Sequence, residues 1–292
     1  MLGFVLAGAP KCGTTSIATG LAACEGICLS DPKETFFFNP EFEAKHTVST
    51  LQDYGALFSG PGMRGDGSIW SMYSPSFPRR LLQMSPDARI ILSLRSPERM
   101  VASLYHYNLD KSYENAPDLL AAFEREEARS RGHDIPGPCP EPTYLLYRQV
   151  ADYTPAVERI LEAVPAERVM IFDFDDADKT RIVPEICAFL GVQVPPPAPL
   201  PHDNPTSYAR QSAGYDMLRA AGRTMRNLRR ACPIPIPSTG VIERFRRSGR
   251  TKNRDTSQAS KDIARQHLEA EIARYKVLMQ KHGTVIGKGV VA

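Results

Sequence analysis

The sequence predicts an α/β fold of three layers, a central parallel sheet flanked by helices, and three stretches carry that expectation. Phe4 to Ala7 is an apolar run, Gly8 to Gly13 interrupts it, and Thr14 to Ala23 follows with Ile17 and Leu21 at helical spacing. The pattern returns at Ala88 to Leu94, where an apolar run meets Arg95-Ser96-Pro97 and then a helix through Leu104. A third run, Arg168 to Phe172, comes after a helix with Val157, Ile160, Leu161 and Val164 on one stripe. Strands alternating with helices imply parallel strands covered on both faces.

Between and beyond these units the chain reads as loops and one further helix. Ser130 to Pro142 and Val194 to Pro205 carry Gly, His and Pro and resist regular assignment. Residues 232–239 cannot be helical, because each proline removes a donor and restricts its predecessor. Lys261 to Lys281 reads as a single closing helix with Ile263, Leu268, Ile272, Tyr275 and Leu278 along one stripe. At 292 residues the chain is near the upper size that one core can serve. A single domain over 1–292 is therefore expected, with an α/β core over 1–192 and C-terminal loops and helices over 193–292.

Composition narrows the class. Hydrophobic residues at 42% and charged residues at 24% are those of an ordinary globular protein. A net charge of +3 is too small to imply nucleic-acid binding, and the basic residues between Arg219 and Arg254 read equally well as a solvated face. Cys12, Cys24, Cys28, Cys139, Cys187 and Cys232 contain no CxxC pair, so reduced thiols are expected and no metal is predicted. Cys24 and Cys28, four apart, could share a helix face as packing residues. The opening apolar run reads as a fold strand rather than a signal peptide. No apolar stretch approaches a membrane span, and a cytoplasmic protein is the expectation.

The chemistry is concentrated in Gly8-Ala9-Pro10-Lys11-Cys12-Gly13-Thr14-Thr15-Ser16, placed between a strand and a helix. Backbone N–H groups and the positive end of a helix make an anion site there, and Lys11 adds a mobile charge. In a Walker A loop the lysine directly follows the second glycine; here Thr14 holds that place and Lys11 precedes Gly13 by two. No aspartate-ending strand of the Walker B kind is evident for holding magnesium. The loop is P-loop-like without the kinase pattern.

From Pro10 to Ser16 the sequence resembles the 5′-phosphosulfate loop of the PAPS-dependent sulfotransferases, in their carbohydrate-type branch and its soluble, bacterial-like members (PAPS is 3′-phosphoadenosine-5′-phosphosulfate). The resemblance implies that Pro10, Lys11, Cys12, Gly13, Thr14, Thr15 and Ser16 cradle the 5′-phosphosulfate of PAPS as donor co-substrate. It also implies a 3′-phosphate site made of an arginine at a strand's end and a serine eight residues later, the spacing of Arg95 and Ser103. A guanidinium in that place can fork onto a phosphate. The segment from Tyr147 to Phe189-Leu190-Gly191 is similar to the family too, whereas Arg250, Lys252 and Arg254 are candidates for its late basic loop without a motif match.

Sulfuryl transfer needs a base for the acceptor's proton and a cation for the leaving phosphate oxygen. Lys11 serves as the cation. Lys33-Glu34-Thr35-Phe36-Phe37-Phe38 resembles the family's element in which the glutamate is the base, with Phe36 standing where a histidine is frequent. Glu34 ranks first for that role, and His106, three residues after Ser103, is the alternative because histidine titrates near neutrality. The acceptor expected is a saccharide or glycolipid, with a natural product next. The competing readings are a P-loop nucleotide kinase and a nucleotide-binding module without catalysis.

Overall fold

The strand β1 (Phe4–Gly8) is buried along its whole length, as an apolar run with helices on both faces must be. The computed structural model that contains it describes residues 1–42, 48–201, 208–209, 250–251 and 254–287. With β2 (Ile27–Leu29), β3 (Met63–Asp66), β4 (Arg89–Leu94) and β5 (Val169–Asp173) it forms a five-stranded parallel sheet in the order β2-β3-β1-β4-β5. Tyr208–Ala209 and Arg250–Thr251 make a separate antiparallel pair.

The first half of the chain supplies helices α1 (Thr14–Ala22), α2 (Leu51–Ala56), α3 (Phe77–Met84), α4 (Pro97–Lys111), α5 (Leu119–Glu124) and α6 (Glu126–Ser130). The second half supplies α7 (Tyr147–Ala151), α8 (Thr154–Ala163), α9 (Ile182–Leu190), α10 (Arg254–His267) and α11 (Glu269–His282). Among the described residues no helix is long and apolar enough to cross a membrane.

Period-two alternation divides the core between the sheet's faces. Phe4, Leu6, Ile91, Met170 and Phe172 pack with Ile17 and Leu21 of α1 and Ile186 and Leu190 of α9. Val5, Ala7, Ile90, Leu92 and Ile171 pack with Leu81, Met100, Leu104, Val157 and Leu278 on the other face. Each such valine, leucine, isoleucine, methionine or phenylalanine, fully removed from water, contributes about 1.5–3 kcal/mol.

Three features differ from the sequence expectation. The closing helix is two helices, α10 and α11, joined at the buried, non-helical Leu268 (φ −124, ψ 26). Its stripe contains the reason: the five-residue step from Ile263 to Leu268 turns a straight helix about 140° out of phase. A break at Leu268 lets both halves face the domain. The strands β2 and β3 also escape the sequence pattern, since Met63-Arg64-Gly65-Asp66 has no apolar run and is a strand only through pairing with β1 and β2. Cys28 lies in β2, so it shares no helix face with Cys24.

The sheet order positions the site. From β1 the chain winds toward β2 and β3, from β4 it winds toward β5, and the loops after β1 and β4 part at the strands' carboxyl ends. A topological switch point of this kind opens a crevice for ligands.

Candidate active site

The loop after β1 occupies that crevice. Ala9 N–H donates to Ser93 O of β4 (2.7 Å), and Ser93 Oγ donates to Cys12 O (2.7 Å), so the loop is tied to the neighbouring strand at both ends. Lys11 has φ 62 and Gly13 has φ 73, both in the left-handed region. A glycine is required at 13 for a second reason: a Cβ there would come within 2.1 Å of the Phe174 ring. A left-handed lysine is strained by about 1–3 kcal/mol, the kind of strain that collects at ligand sites. Among the described residues no side chain caps α1 and no acidic residue stands in its first turn, which leaves its N–H groups for an anion. Thr14 is buried, while Thr15 and Ser16 are partly exposed on that first turn. Cys12 is fully buried and burial pushes its thiol up to about 12, so it packs the loop rather than reacting.

Lys11 is held over Tyr107 of α4, its Nζ 4.5 Å from the ring centroid, and Lys111 approaches the same ring at 5.7 Å. Burial, followed by the charges of Arg95 and Lys111, lowers the proton affinity of Lys11.

Arg95 leaves the end of β4 and reaches back to the loop, with Nη1 3.4 Å from Lys11 O, while Tyr153 Oη donates to Arg95 O (3.0 Å). Its Nε and Nη2 fork onto Asp175 at 2.8 and 2.7 Å, and Arg99 Nη1 lies 2.9 Å from the same carboxylate. Burial would raise the Asp175 carboxyl, but bonds from Arg95 and Arg99 outweigh it and hold the group below the usual carboxylate range. The turn that presents Asp175 is made by Asp173, whose Oδ1 accepts from Asp175 N–H (2.7 Å). Tyr275 of α11 donates in turn to Asp173. Ser103 lies half-buried on α4, eight residues beyond Arg95.

Glu34 stands on a segment zipped to the end of β3. Gly67 N–H donates to Lys33 O (3.1 Å), Lys33 Nζ to Gly67 O (3.1 Å), and Thr35 and Phe36 N–H to Ser68 Oγ (2.9 and 3.1 Å). Beneath them the buried Asp66 accepts from Thr35 Oγ1 (2.6 Å), Tyr54 Oη (2.9 Å), and Ser68 N–H and Oγ (2.9 and 2.6 Å). Phe36 and Phe38 are buried, whereas the Glu34 side chain stays 31% exposed and pairs with Lys33 at 3.0 Å. Tyr107 feels Glu34: burial, Tyr113 and Glu34 together push its hydroxyl up to about 12. Tyr107 is thus the ring on which Lys11 rests and the hydroxyl that Glu34 influences.

His106 points elsewhere. It is buried, with Nε2 3.1 Å from Ser260 Oγ on α10 and its ring edge-on to Tyr105. The basic candidates Arg250, Lys252 and Arg254, and the proline-rich 232–239, lie outside the residues whose side chains are described. Among the described residues no cluster of three His, Cys, Asp or Glu side chains could hold a metal ion.

Arg99, Asp175, Phe174 and Tyr107 were not expected from the sequence. For two of them a signal existed: Arg99, Ser103 and Tyr107 are four apart along one ridge of α4, the first of them four residues after Arg95. Asp175 had none, because its partner is eighty residues away.

A cationic loop and an arginine meeting at the switch point of a parallel sheet define an α/β protein of the P-loop-like type. It belongs to the sulfotransferase family: the model of the sulfotransferase domain matches residues 4–208. A sulfotransferase from Alicyclobacillus acidocaldarius has the same fold, with TM-score 0.61 and 23% identity over 81% of this chain and 97% of that one. The sulfotransferase domain of the curacin biosynthetic pathway matches at TM-score 0.45, with 18% identity over 67% of this chain and 76% of its own. That of the Synechococcus PCC 7002 olefin synthase matches at 0.39, with 16% identity over 65% and 73%. No curated protein sequence matches the chain.

Proposed function

We propose that this sulfotransferase takes its sulfuryl group from PAPS and passes it to an acceptor hydroxyl, with Glu34 as base and Lys11 as the cation at the leaving oxygen. The observation that carries the reading is the joining of two phosphate-seeking elements, the left-handed Lys11 loop and Arg95, by the 3.4 Å approach of Arg95 Nη1 to Lys11 O. An adenosine bearing phosphate groups at both 3′ and 5′ positions needs two cationic centres that close together.

In this mechanism the loop N–H groups and Lys11 hold the 5′-phosphosulfate, and Arg95 and Ser103 hold the 3′-phosphate. Glu34 takes the acceptor proton as the acceptor oxygen bonds to sulfur. The bond from sulfur to the 5′-phosphate oxygen breaks, and Lys11 meets the negative charge that grows there. The products are a sulfate ester and adenosine 3′,5′-bisphosphate, with the proton left on Glu34. Phe36, an apolar residue at a position where the family frequently has histidine, makes Glu34 the carboxylate on which the proton transfer rests. His106, committed to Ser260 of α10, is the weaker candidate. Saccharide, glycolipid and hydroxylated natural products are the acceptor classes for a base of this kind.

The test is transfer of label from [³⁵S]PAPS to a panel of saccharides, glycolipids and hydroxylated natural products, read by mass spectrometry in the presence of EDTA. Sulfated product with chelator present is expected. Phosphorylated product from ATP and magnesium, with none from PAPS, would overturn the proposal.

A further inference from the structure

We infer that Arg99 is a second reader of the donor's 3′-phosphate, beside Arg95, and therefore a specificity-determining residue for the nucleotide. The inference rests on the proposed reading of Arg95 as a 3′-phosphate contact. It starts from Asp175, whose carboxylate receives Nε and Nη2 of Arg95 at 2.8 and 2.7 Å and Nη1 of Arg99 at 2.9 Å. Two guanidinium groups therefore already converge within the width of one small anion. A phosphate monoester is scarcely wider than a carboxylate and carries three acceptor oxygens in place of two.

The donors left over suit that ligand. Asp175 uses one edge of Arg95 and one terminal nitrogen of Arg99, and Nε and Nη2 of Arg99 have no partner among the described residues. The Arg99 side chain is 50% exposed beside Asp175, which is 15% exposed, so it stands at the mouth of the site rather than in packing. Position favours the same conclusion: Arg99 is four residues after Arg95 and four before Ser103, on the α4 ridge that leads into the crevice. Lys11, Arg95 and Arg99 place three cations along the crevice, two of them on the Asp175 carboxylate. Asp175 acts as the brace. It fixes the two forks before the nucleotide arrives, which lowers the entropy lost on binding.

The experiment is calorimetric titration of the full chain with adenosine 3′,5′-bisphosphate and, separately, adenosine 5′-monophosphate. Arg99→Ala, at an exposed position that should not disturb folding, is expected to weaken the bisphosphate by about 10-fold or more, the effect of a lost charge-assisted bond. The monophosphate should change by no more than about two-fold. Equal loss for both nucleotides, or no loss, overturns the role of Arg99. A second variant separates contact from charge balance, because removing Arg99 also exposes Asp175: in Arg99→Ala with Asp175→Asn the bisphosphate loss should persist. Recovery of affinity in that double variant would mean that Arg99 only neutralises Asp175, which overturns the contact. Arg95→Ala in the same titrations tests the underlying reading. If it too fails to discriminate between the nucleotides, the 3′-phosphate site itself is misplaced, whereas a selective Arg95 loss with an unselective Arg99 result removes Arg99 alone.

Discussion

Lys11 combines a left-handed backbone, a place over the Tyr107 ring and a proton affinity lowered first by burial, and each of these properties bears on turnover. Because the proposed mechanism sets its charge against the leaving oxygen, Lys11→Ala should lower kcat far more than it weakens binding of adenosine 3′,5′-bisphosphate. Near-normal kcat would take Lys11 out of the chemistry. The sign of its pH dependence follows from the direction of its shift. The ammonium is present below the lysine's lowered value and is lost as pH rises through it, so kcat/KM for PAPS should fall on an alkaline limb beneath the ordinary lysine range. Lys11→Arg should move that limb out of range, and a kcat/KM profile with the limb unmoved would assign it to another group. Glu34→Gln keeps size and polarity but accepts no proton, so kcat should drop by about 10²-fold or more with donor affinity retained. His106→Ala should keep most of the activity. A dead histidine variant beside an active Glu34→Gln enzyme would exchange the two roles.

At the scale of elements, the site stands on struts that the chemistry does not touch. Glu114 and Arg129, both wholly buried, form a two-pronged pair (2.8 and 2.6 Å) that Tyr147 completes from α7 with a 2.9 Å bond to Glu114. This joins the segment after α4 to α6 and α7 and so steadies the far end of the helix that carries Arg99, Ser103 and Tyr107. Removing one partner of a buried pair leaves an uncompensated charge, and Arg129→Ala should cost about 3–5 kcal/mol in chemical denaturation. For Glu114, burial would raise the carboxyl, but Arg129, the Ala116 N–H and Tyr147 outweigh it and the group titrates below its ordinary value of 4.5. The pair's stabilisation is therefore complete above that ordinary value and is lost as pH falls through the lowered one. Wild-type protein should lose stability over that acid window, and Arg129→Ala should show a flatter profile there. A parallel loss in both proteins would show that the pair contributes little.

For the molecule as a whole, the two halves of the proposed donor site come from loops after β1 and β4, with Asp175 following β5, so a nucleotide bound there would tie three strands together. A ligand that binds only the folded state stabilises it by about 2.7 kcal/mol at a hundred times its Kd. For a chain of this size that corresponds to several degrees, at about 2–4 °C per kcal/mol. Adenosine 3′,5′-bisphosphate should raise Tm by that amount and adenosine 5′-monophosphate by clearly less at equal concentration. Equal shifts would deny a dedicated 3′-phosphate site.

What the sequence determined by itself is local in character. The apolar runs of β1, β4 and β5 and the glycine-bearing loop after β1 are legible because a buried parallel strand and an anion-binding turn each write their requirements into consecutive residues. The pairing of Arg95 with Ser103 is what the family resemblance implies, and it is local because both belong to one strand-to-helix unit. Tertiary structure decided whatever depends on partners remote in the chain. Met63 to Asp66 became a strand only beside β1, and the final helix broke at Leu268 because a stripe out of phase must bury both halves against a surface the sequence does not display. His106 turned to Ser260, the backbone of Thr35 and Phe36 beside Glu34 was pinned through Ser68 to Asp66, and Asp175 drew Arg95 and Arg99 together. Ridge spacing placed Arg99 near Arg95, but only a carboxylate brought in by β5 could show that their guanidinium groups converge.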